Sequence, residues 1–203
     1  MATPGSLKPR SLKSSRLRWL MNLYAPLLGA GIRVTHMDLE GGRVDVRLKL
    51  SWFNRNYVGT HFGGSLYAMC DPFFVLILAR RLGKDYVVWD KEAAIRFRRP
   101  AVGVVRARFE IGSEQVEEIR READLGLAVE PRFVAEVLDS EDRKVVEIDK
   151  LLYVRRKDIS RERARLSRER RRQQDSPETG DESASSDGST GSDGSKTSER
   201  GRR

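Results

Sequence analysis

The sequence predicts an α+β fold in which a curved antiparallel β-sheet wraps around one long buried central helix. Residues 65–82 form the predicted helix, because they are apolar on every side between Leu66 and Ala79 apart from Asp71. A helix without a polar face must be enclosed by other parts of the protein. Most of the remaining chain up to residue 158 alternates polar and apolar side chains, which is typical of strands with one buried face.

The first element in the chain is an amphipathic N-terminal helix. Its apolar residues recur at helical spacing: Leu17, Leu20, Met21, Tyr24 and Leu28. Basic residues precede the apolar segment 19–32, as in a secretory signal peptide, but the helical spacing favours a surface helix. We therefore expect a cytoplasmic protein. The apolar run 66–79 is short and contains Asp71 and Pro72, so we expect no transmembrane segment.

The strands follow in two groups, one before and one after the central helix. Residues 43–50 alternate without interruption, and Gly41 with Gly42 predicts a hairpin that pairs them with residues 32–39. Pro100 and Gly103 predict a turn that joins the first two strands of the second group. That group is predicted at residues 86–98, 105–111, 133–137 and 146–154, with a short helix at 114–124.

The end of the chain differs in composition from the rest. Residues 159–203 contain ten Ser, five Gly, four apolar residues and no aromatic residue. Such a segment cannot bury enough apolar surface to offset the entropy of ordering, so a disordered tail is predicted. We therefore divide the chain into a basic flexible N-terminus at 1–13, a folded domain at 14–158 and the tail at 159–203. This organisation excludes a disordered protein, a multi-domain enzyme and a small disulfide-linked scaffold.

Charge indicates the kind of ligand. The net charge is +9, of which the tail contributes about +2, so the folded part is basic. A basic body favours phosphate-bearing partners such as nucleic acid, anionic lipid or a nucleotide-like small molecule. We recognise no nucleic-acid-binding motif, and we expect no specific nucleic-acid partner. His and Cys residues lack metal-ligand spacing, and Gly63-Gly64 is not a dinucleotide motif, so no metal or redox cofactor is expected.

Residues 56–71 carry the candidate chemistry. Gly63 and Gly64 lie at the start of the predicted central helix, where backbone N–H groups lack partners and can stabilise an oxyanion. Asp71 is the only ionisable group on the apolar run. It is either a functional carboxylate or a structural one that neighbouring backbone or a cation satisfies.

The pattern Asn-x-x-Gly-Thr-x-x-Gly-Gly, with Asp seven residues after the second Gly, resembles the hotdog-fold acyl-CoA thioesterases of the phenylacetate-pathway and thioesterase-superfamily-member type. The likeness covers roughly residues 17–156. The segments Val-Val-Trp-Asp-Lys, ending at Lys91, and Gly-Gly-Ser-Leu-Tyr, ending at Tyr67, are most similar to an uncharacterised thioesterase-like branch of that superfamily.

The resemblance implies a mechanism for an acyl-CoA thioester hydrolase. Asp71 would act as general base or nucleophile, the N–H of Gly63 or Gly64 would polarise the thioester carbonyl, and Asn56 would orient water or substrate. It also implies a homodimer or homotetramer in which each site is shared by two subunits. Phe62 stands where the better-known enzymes have His, so the alternative is a non-catalytic protein that binds an acyl or lipid-like ligand. His61, one position earlier, is expected to be a loop residue without a catalytic role.

The remaining candidates are expected to bind substrate. Phe62 and Tyr67 belong to the same segment. Lys91 either points towards the helix and pairs with Asp71, or lies at a bulge or strand end and extends to solvent, which we favour. Arg96 and Arg98, with Arg106 and Arg108 across the predicted hairpin, would suit a phosphate of coenzyme A. A solvated outer sheet face explains the same four arginines and is the more ordinary alternative.

Overall fold

The computed structural model describes residues 14–159 and Arg165. The predicted flexible N-terminus at 1–13 and nearly all of the predicted tail lie outside the described residues. The described chain contains five helices: α1 Ser14–Leu23, α2 Ala25–Ala30, α3 Gly63–Ala68, α4 Phe73–Leu82 and α5 Ser113–Asp124. Its six strands are β1 Ile32–Asp38, β2 Arg43–Lys49, β3 Tyr86–Phe97, β4 Val104–Glu110, β5 Arg132–Leu138 and β6 Lys144–Arg156.

The strands form one antiparallel sheet in the order β1-β2-β4-β5-β6-β3. The predicted β1–β2 hairpin is confirmed, with Ile32 opposite Leu48 and Asp38 opposite Arg43. The predicted hairpin between β3 and β4 is wrong. Within the described residues β3 is an edge strand that pairs with β6 alone, whereas β4 lies between β2 and β5. The segment after β3 crosses over the sheet, and its Ala101 and Gly103 carbonyls accept hydrogen bonds from the loop between β2 and α3.

The predicted single central helix is two helices separated by the turn 69–72. Pro72 has no N–H to donate, so the helical hydrogen-bond pattern cannot continue through it. Cys70 N–H instead bonds to Tyr67 O at 2.8 Å, which tightens the last turn of α3. Asp71 therefore lies in a turn and not on a helix.

The core lies between α4 and the inner face of the sheet. Phe73, Phe74, Ile77 and Leu78 of α4 are almost completely buried. The Phe74 ring packs against Phe109 of β4 and Phe133 of β5, with centroid separations of 5.2 and 5.1 Å. The buried face of α4 thus joins distant strands, and the predicted α+β arrangement of a sheet around a buried helix is confirmed.

The N-terminal helix is also divided. α1 ends at Leu23 and α2 begins at Ala25, because Pro26 fits the first turn of a new helix but not the interior of an existing one. Leu17 and Met21 of α1 pack against the core, while Leu27 of α2 is buried. Of the helices in the described part of the chain, none is long and apolar enough to cross a membrane.

Candidate active site

Asp71 forms an ion pair with a lysine that reaches it from the inner face of the sheet. The distance from Lys150 Nζ to Asp71 Oδ1 is 3.1 Å, and Lys150 is completely buried. Lys150 lies on β6 between Ile148 and Leu152, at the position where alternation points a side chain into the core. A buried ammonium is costly unless its charge and its hydrogen bonds are satisfied.

Three acceptors satisfy Lys150. Its Nζ lies 3.1 Å from Asp71 Oδ1, 3.1 Å from the Asp71 carbonyl oxygen and 2.9 Å from Asp90 Oδ2. An ammonium has three N–H donors, so each has a partner. We refer to Asp71, Asp90 and Lys150 as the carboxylate–lysine cluster; it carries one cation and two carboxylates.

Burial and neighbouring charges act in opposite directions on the pKa values of the cluster. Burial alone would lower the pKa of Lys150, but the hydrogen bonds and charges of Asp90 and Asp71 raise it above its ordinary value. Burial raises the pKa of Asp90, and Lys150 opposes this shift only in part. Lys150 is therefore charged at neutral pH, and it holds the Asp71 carboxylate in a fixed position.

Asp71 itself is open to solvent, although the sequence suggested a buried carboxylate. Its side chain is 48% exposed, so Lys150 anchors one oxygen while much of the group stays accessible. Tyr67 flanks the ion pair, because its ring centroid lies 5.7 Å from Lys150 Nζ. Burial and the neighbouring carboxylates raise the pKa of Tyr67. A fixed and accessible carboxylate of this kind can accept a proton from water or attack a carbonyl carbon.

Lys91 does not pair with Asp71. Asp90 lies opposite Leu152 and Glu92 opposite Leu151, so Lys91 is an extra residue in a β-bulge. Its ammonium points away from the cluster and contacts Glu130 at 2.7 Å. The favoured bulge alternative is confirmed. The bulge also separates Trp89 from Ala93, which the alternation had placed on one face.

Gly63 and Gly64 open α3 at some distance from the cluster. Neither N–H group donates a hydrogen bond within the described residues. A Cβ on Gly63 would lie 3.2 Å from the Phe97 ring, and one on Gly64 would lie 2.4 Å from the Phe62 ring. The two glycines thus let aromatic rings approach the start of α3 closely. The predicted substrate-binding residue Phe62 remains half-exposed over Gly64.

Asn56 and His61 organise the loop that leads into α3. Asn56 donates to Thr60 Oγ1 and His61 O at 2.8 and 3.2 Å, and it accepts from the Thr60 N–H. The Asn56 side chain keeps little hydrogen-bonding capacity for substrate. Its role in orienting water or substrate stays a prediction. His61 is buried, its Nε2 lies 3.1 Å from Gly103 O, and burial lowers its pKa. It is therefore a neutral residue inside the loop.

A pocket of about 460 Å³ lies beside the start of α3. Its lining includes Asn56, His61 and Gly63 from the loop and helix start, and Phe97 and Arg98 from the end of β3 and just after it. The pocket thus brings together four residues that the sequence analysis discussed, Asn56, His61, Gly63 and Arg98, at the exposed edge of the sheet. Asp71 is not part of this lining.

The four candidate arginines form two separate pairs. Arg96 and Arg98 contact Glu147 of β6 at 3.4 and 3.3 Å. Arg106 pairs with Asp142, and Arg108 with Asp45, beside a pocket of about 680 Å³ between β2, β4 and β5. Because β5 and β6 lie between the two pairs, the predicted four-arginine phosphate site is wrong.

Sequence reasoning missed Lys150 and Asp90. Lys150 interrupts an otherwise apolar face that runs through Val146, Ile148, Leu152 and Val154. A lysine on a buried strand face indicates that an acidic or polar partner lies in the core beside it. Asp90 gave no such signal, because the bulge reverses which residues of β3 face inward. Among the described residues, no group of three His, Cys, Asp or Glu side chains could hold a metal ion.

Comparison with known proteins places the chain in a family. Residues 14–154 match the family described as a domain of unknown function, DUF4442. The chain belongs to this family. Among curated proteins, no sequence matches it.

Solved structures share its fold. A Pseudomonas aeruginosa protein described as a probable thioesterase is 25% identical, with a TM-score of 0.63 over 71% of this chain and 97% of that chain. A Haemophilus influenzae thioesterase is 14% identical, with a TM-score of 0.53 over 72% and 93%. A Chlorobaculum tepidum protein is 16% identical, with a TM-score of 0.57 over 70% and 94%. The likeness confirms the predicted hotdog fold and the membership of this DUF4442 chain in the thioesterase-like superfamily.

Proposed function

We propose that this protein hydrolyses an acyl-CoA thioester, with Asp71 as general base or nucleophile. The observation that supports this most strongly is the Asp71 carboxylate, which Lys150 fixes at one oxygen while the side chain stays 48% exposed. A reacting carboxylate must stay accessible to water and substrate, and Asp71 meets this condition while Lys150 orients it. The 25% identity to a protein described as a probable thioesterase supports the same activity.

A second copy of the chain completes the proposed site. Gly63 lines the pocket beside the start of α3, whereas Asp71 lies in the turn after α3 and is not part of that lining. The base and the donor that polarises the carbonyl must both lie within about 3 Å of the reacting group. Asp71 of one subunit therefore acts with the Gly63 N–H of its partner. The edge strand β3 is where the partner docks, because Phe97 and Ala93 on its inner face are exposed.

The chemistry follows from these positions. Asp71 removes a proton from a water molecule that attacks the thioester carbonyl carbon, or attacks that carbon itself. The Gly63 N–H, which has no acceptor among the described residues, stabilises the oxyanion that forms. Collapse of this intermediate breaks the carbon–sulfur bond and releases the thiolate of coenzyme A. On the general-base route the thiolate takes up the proton held by Asp71, and on the direct-attack route water then hydrolyses the acyl-aspartate anhydride. Lys150 holds the Asp71 carboxylate in position throughout.

Hydrolysis of a panel of acyl-CoA thioesters by the full chain tests the proposal. Asp71→Asn keeps the side-chain shape and should lower kcat at least 100-fold, which is the usual scale for a general base. Asp85→Asn is the matched control, because Asp85 is an exposed carboxylate in the turn before β3. If both variants keep the activity of the unmodified chain, Asp71 is not the catalytic group.

Mixing two defective subunits tests the shared site. Gly63→Pro removes the N–H at the first position of α3, where the helix start suits the backbone of proline and the Phe97 ring has to move slightly from its Cβ. Random pairing of this variant with Asp71→Asn makes half of the dimers mixed, and each mixed dimer has one intact site. About a quarter of the wild-type activity should return after mixing. Mixtures that stay inactive would contradict a site shared between subunits.

The alternative function is binding of an acyl or lipid-like ligand without hydrolysis. Phe62 favours it, because its half-exposed ring occupies the position of a histidine in better-known enzymes. In that case the chain would bind non-hydrolysable acyl-CoA analogues, and no thioester in the panel would be cleaved. Calorimetric titration beside the hydrolysis assay separates the two functions.

A further inference from the structure

One side of the molecule exposes large apolar side chains that no described residue covers. Trp19 is 67% and Trp52 is 85% exposed, although tryptophan is usually well buried. We call this surface the aromatic patch. It consists of Trp19, Leu20, Leu23, Tyr24, Leu28 and Trp52.

The members of the aromatic patch are contiguous. Trp19, Leu20 and Leu23 share one face of α1, opposite the face through which α1 packs on the body. Tyr24 and Leu28 continue this row one turn apart through α2, where Leu28 N–H bonds to Tyr24 O at 2.9 Å.

The loop after β2 extends the patch. Trp52 packs edge-on against the Phe53 ring, with a centroid separation of 5.8 Å. Phe53 in turn lies against the end of α2, because a Cβ on Gly31 would come within 3.5 Å of its ring. Asn54 fixes the loop there through hydrogen bonds to the Ala30 and Lys49 carbonyls. Helix α2 and the loop after β2 are therefore adjacent and present one apolar surface.

The two segments that form the patch carry charges of a single sign. Residues 14–37 contain three Arg and no Lys, Asp or Glu. Residues 46–70, which include the Trp52 loop, contain three Lys or Arg and no Asp or Glu. Arg16 is exposed on the same face of α1 as Leu20, and Arg55 is exposed within the loop.

We propose that the aromatic patch docks this protein on an anionic phospholipid surface. Tryptophan and tyrosine prefer the interface between lipid headgroups and acyl chains, and basic neighbours are attracted to acidic headgroups. A second copy of the chain fits this surface poorly, since it would bring together two surfaces whose own charged residues are basic. The patch also lies next to β1, at the opposite end of the sheet from the β3 edge. Docking on lipid and pairing through β3 are therefore compatible.

Sedimentation of the full chain with lipid vesicles tests the proposal. Vesicles of phosphatidylcholine with about one-third phosphatidylserine should bind the protein, and pure phosphatidylcholine vesicles should bind it more weakly. Trp19→Ser with Trp52→Ser should lower the partition coefficient by about 100-fold, or about tenfold for each lost side chain. Arg16→Gln should lower it about fivefold on the anionic vesicles only. Leu125→Ser removes an exposed leucine after α5 and should change nothing.

Tryptophan fluorescence supplies a second readout. Trp19, Trp52 and Trp89 are the three tryptophans of the chain. In variants that keep one tryptophan and carry phenylalanine at the other two positions, which preserves an apolar aromatic surface, lipids brominated in the acyl chain should quench Trp19 and Trp52 but not Trp89. No binding to either vesicle, or equal quenching of Trp89, would overturn the proposal. A fall in molar mass of the Trp19→Ser/Trp52→Ser variant would also overturn it, because the patch would then bind a second copy.

Discussion

Replacement of Lys150 by methionine tests whether the carboxylate–lysine cluster is a paired, buried charge. Methionine fills similar volume but removes the cation, so Asp90 Oδ2 and the Asp71 carbonyl lose their donor. Removal of one partner from a buried ion pair costs roughly 3–5 kcal/mol. Asp71 can turn to water because its side chain is 48% exposed. We therefore expect the lower end of that range, about 3 kcal/mol of unfolding free energy.

Urea denaturation at neutral pH measures this loss. Lys144→Met is the matched control, because Lys144 also lies on β6 and also contacts two carboxylates, Glu136 and Glu147. Its side chain is 37% exposed, so its removal should cost far less than removal of Lys150. Adding Asp90→Asn to Lys150→Met should recover about 1 kcal/mol or more, since the amide no longer leaves an unpaired charge.

The pH dependence of the loss has a defined sign. The folded-state pKa of Lys150 lies above its ordinary value, so its contribution is fully present below about pH 10 and declines as pH rises through the folded-state pKa. At the acid end, Asp90 has a raised pKa and takes up a proton more readily in the folded state. The difference between wild type and Lys150→Met should therefore shrink in acid. A Lys150→Met protein within about 0.5 kcal/mol of wild type at neutral pH would refute the reasoning.

Three further predictions concern the fold. Gly31→Ala should lower the free energy of unfolding by about 1–2 kcal/mol, because Gly31 has φ +79° and a Cβ would lie 2.9 Å from Asn54 Nδ2. The control Gly29→Ala, in α2, should be neutral or stabilising. Urea denaturation measures both variants. Phe74→Ala should lower the free energy of unfolding by about 3–5 kcal/mol, because the Phe74 ring packs between Phe109 and Phe133. Val134→Ala, on the exposed face of β5, is the control in the same measurement. Burial raises the pKa of Cys70 to about 12, so this thiol should resist alkylation at pH 8 in the native protein and react fully in urea.

Local signals in the sequence were sufficient for much of the fold. The β1–β2 hairpin follows from uninterrupted alternation on both sides of Gly41-Gly42. The burial of α4 follows from its lack of a polar face, and helix α5 was predicted within one residue of its observed start. Each of these features depends on residues that are close in the chain.

Strand order could not be obtained in the same way. The pairing of β3 with β6, about 60 residues later, depends on contacts between elements and not on the residues of either strand. Pro100 and Gly103 indicate a change of direction, but they do not distinguish a tight hairpin from a crossover. The four-arginine hypothesis failed for this reason: it assumed that neighbours in sequence are neighbours in the sheet.

The bulge at Lys91 determines which side chains of β3 reach the carboxylate–lysine cluster. Ala93 lies opposite Lys150, so regular alternation would point Lys91 inward and place a second ammonium beside it. The inserted residue shifts the pattern by one, which turns Lys91 out to Glu130 and Asp90 in to Lys150. The buried cation thereby gains a carboxylate partner of its own and can share its remaining hydrogen bonds with Asp71. A single extra residue in the edge strand thus decides the surroundings of Asp71. With the bulge, Asp71 faces one lysine whose charge Asp90 also neutralises; without it, Asp71 would face two lysines that repel each other.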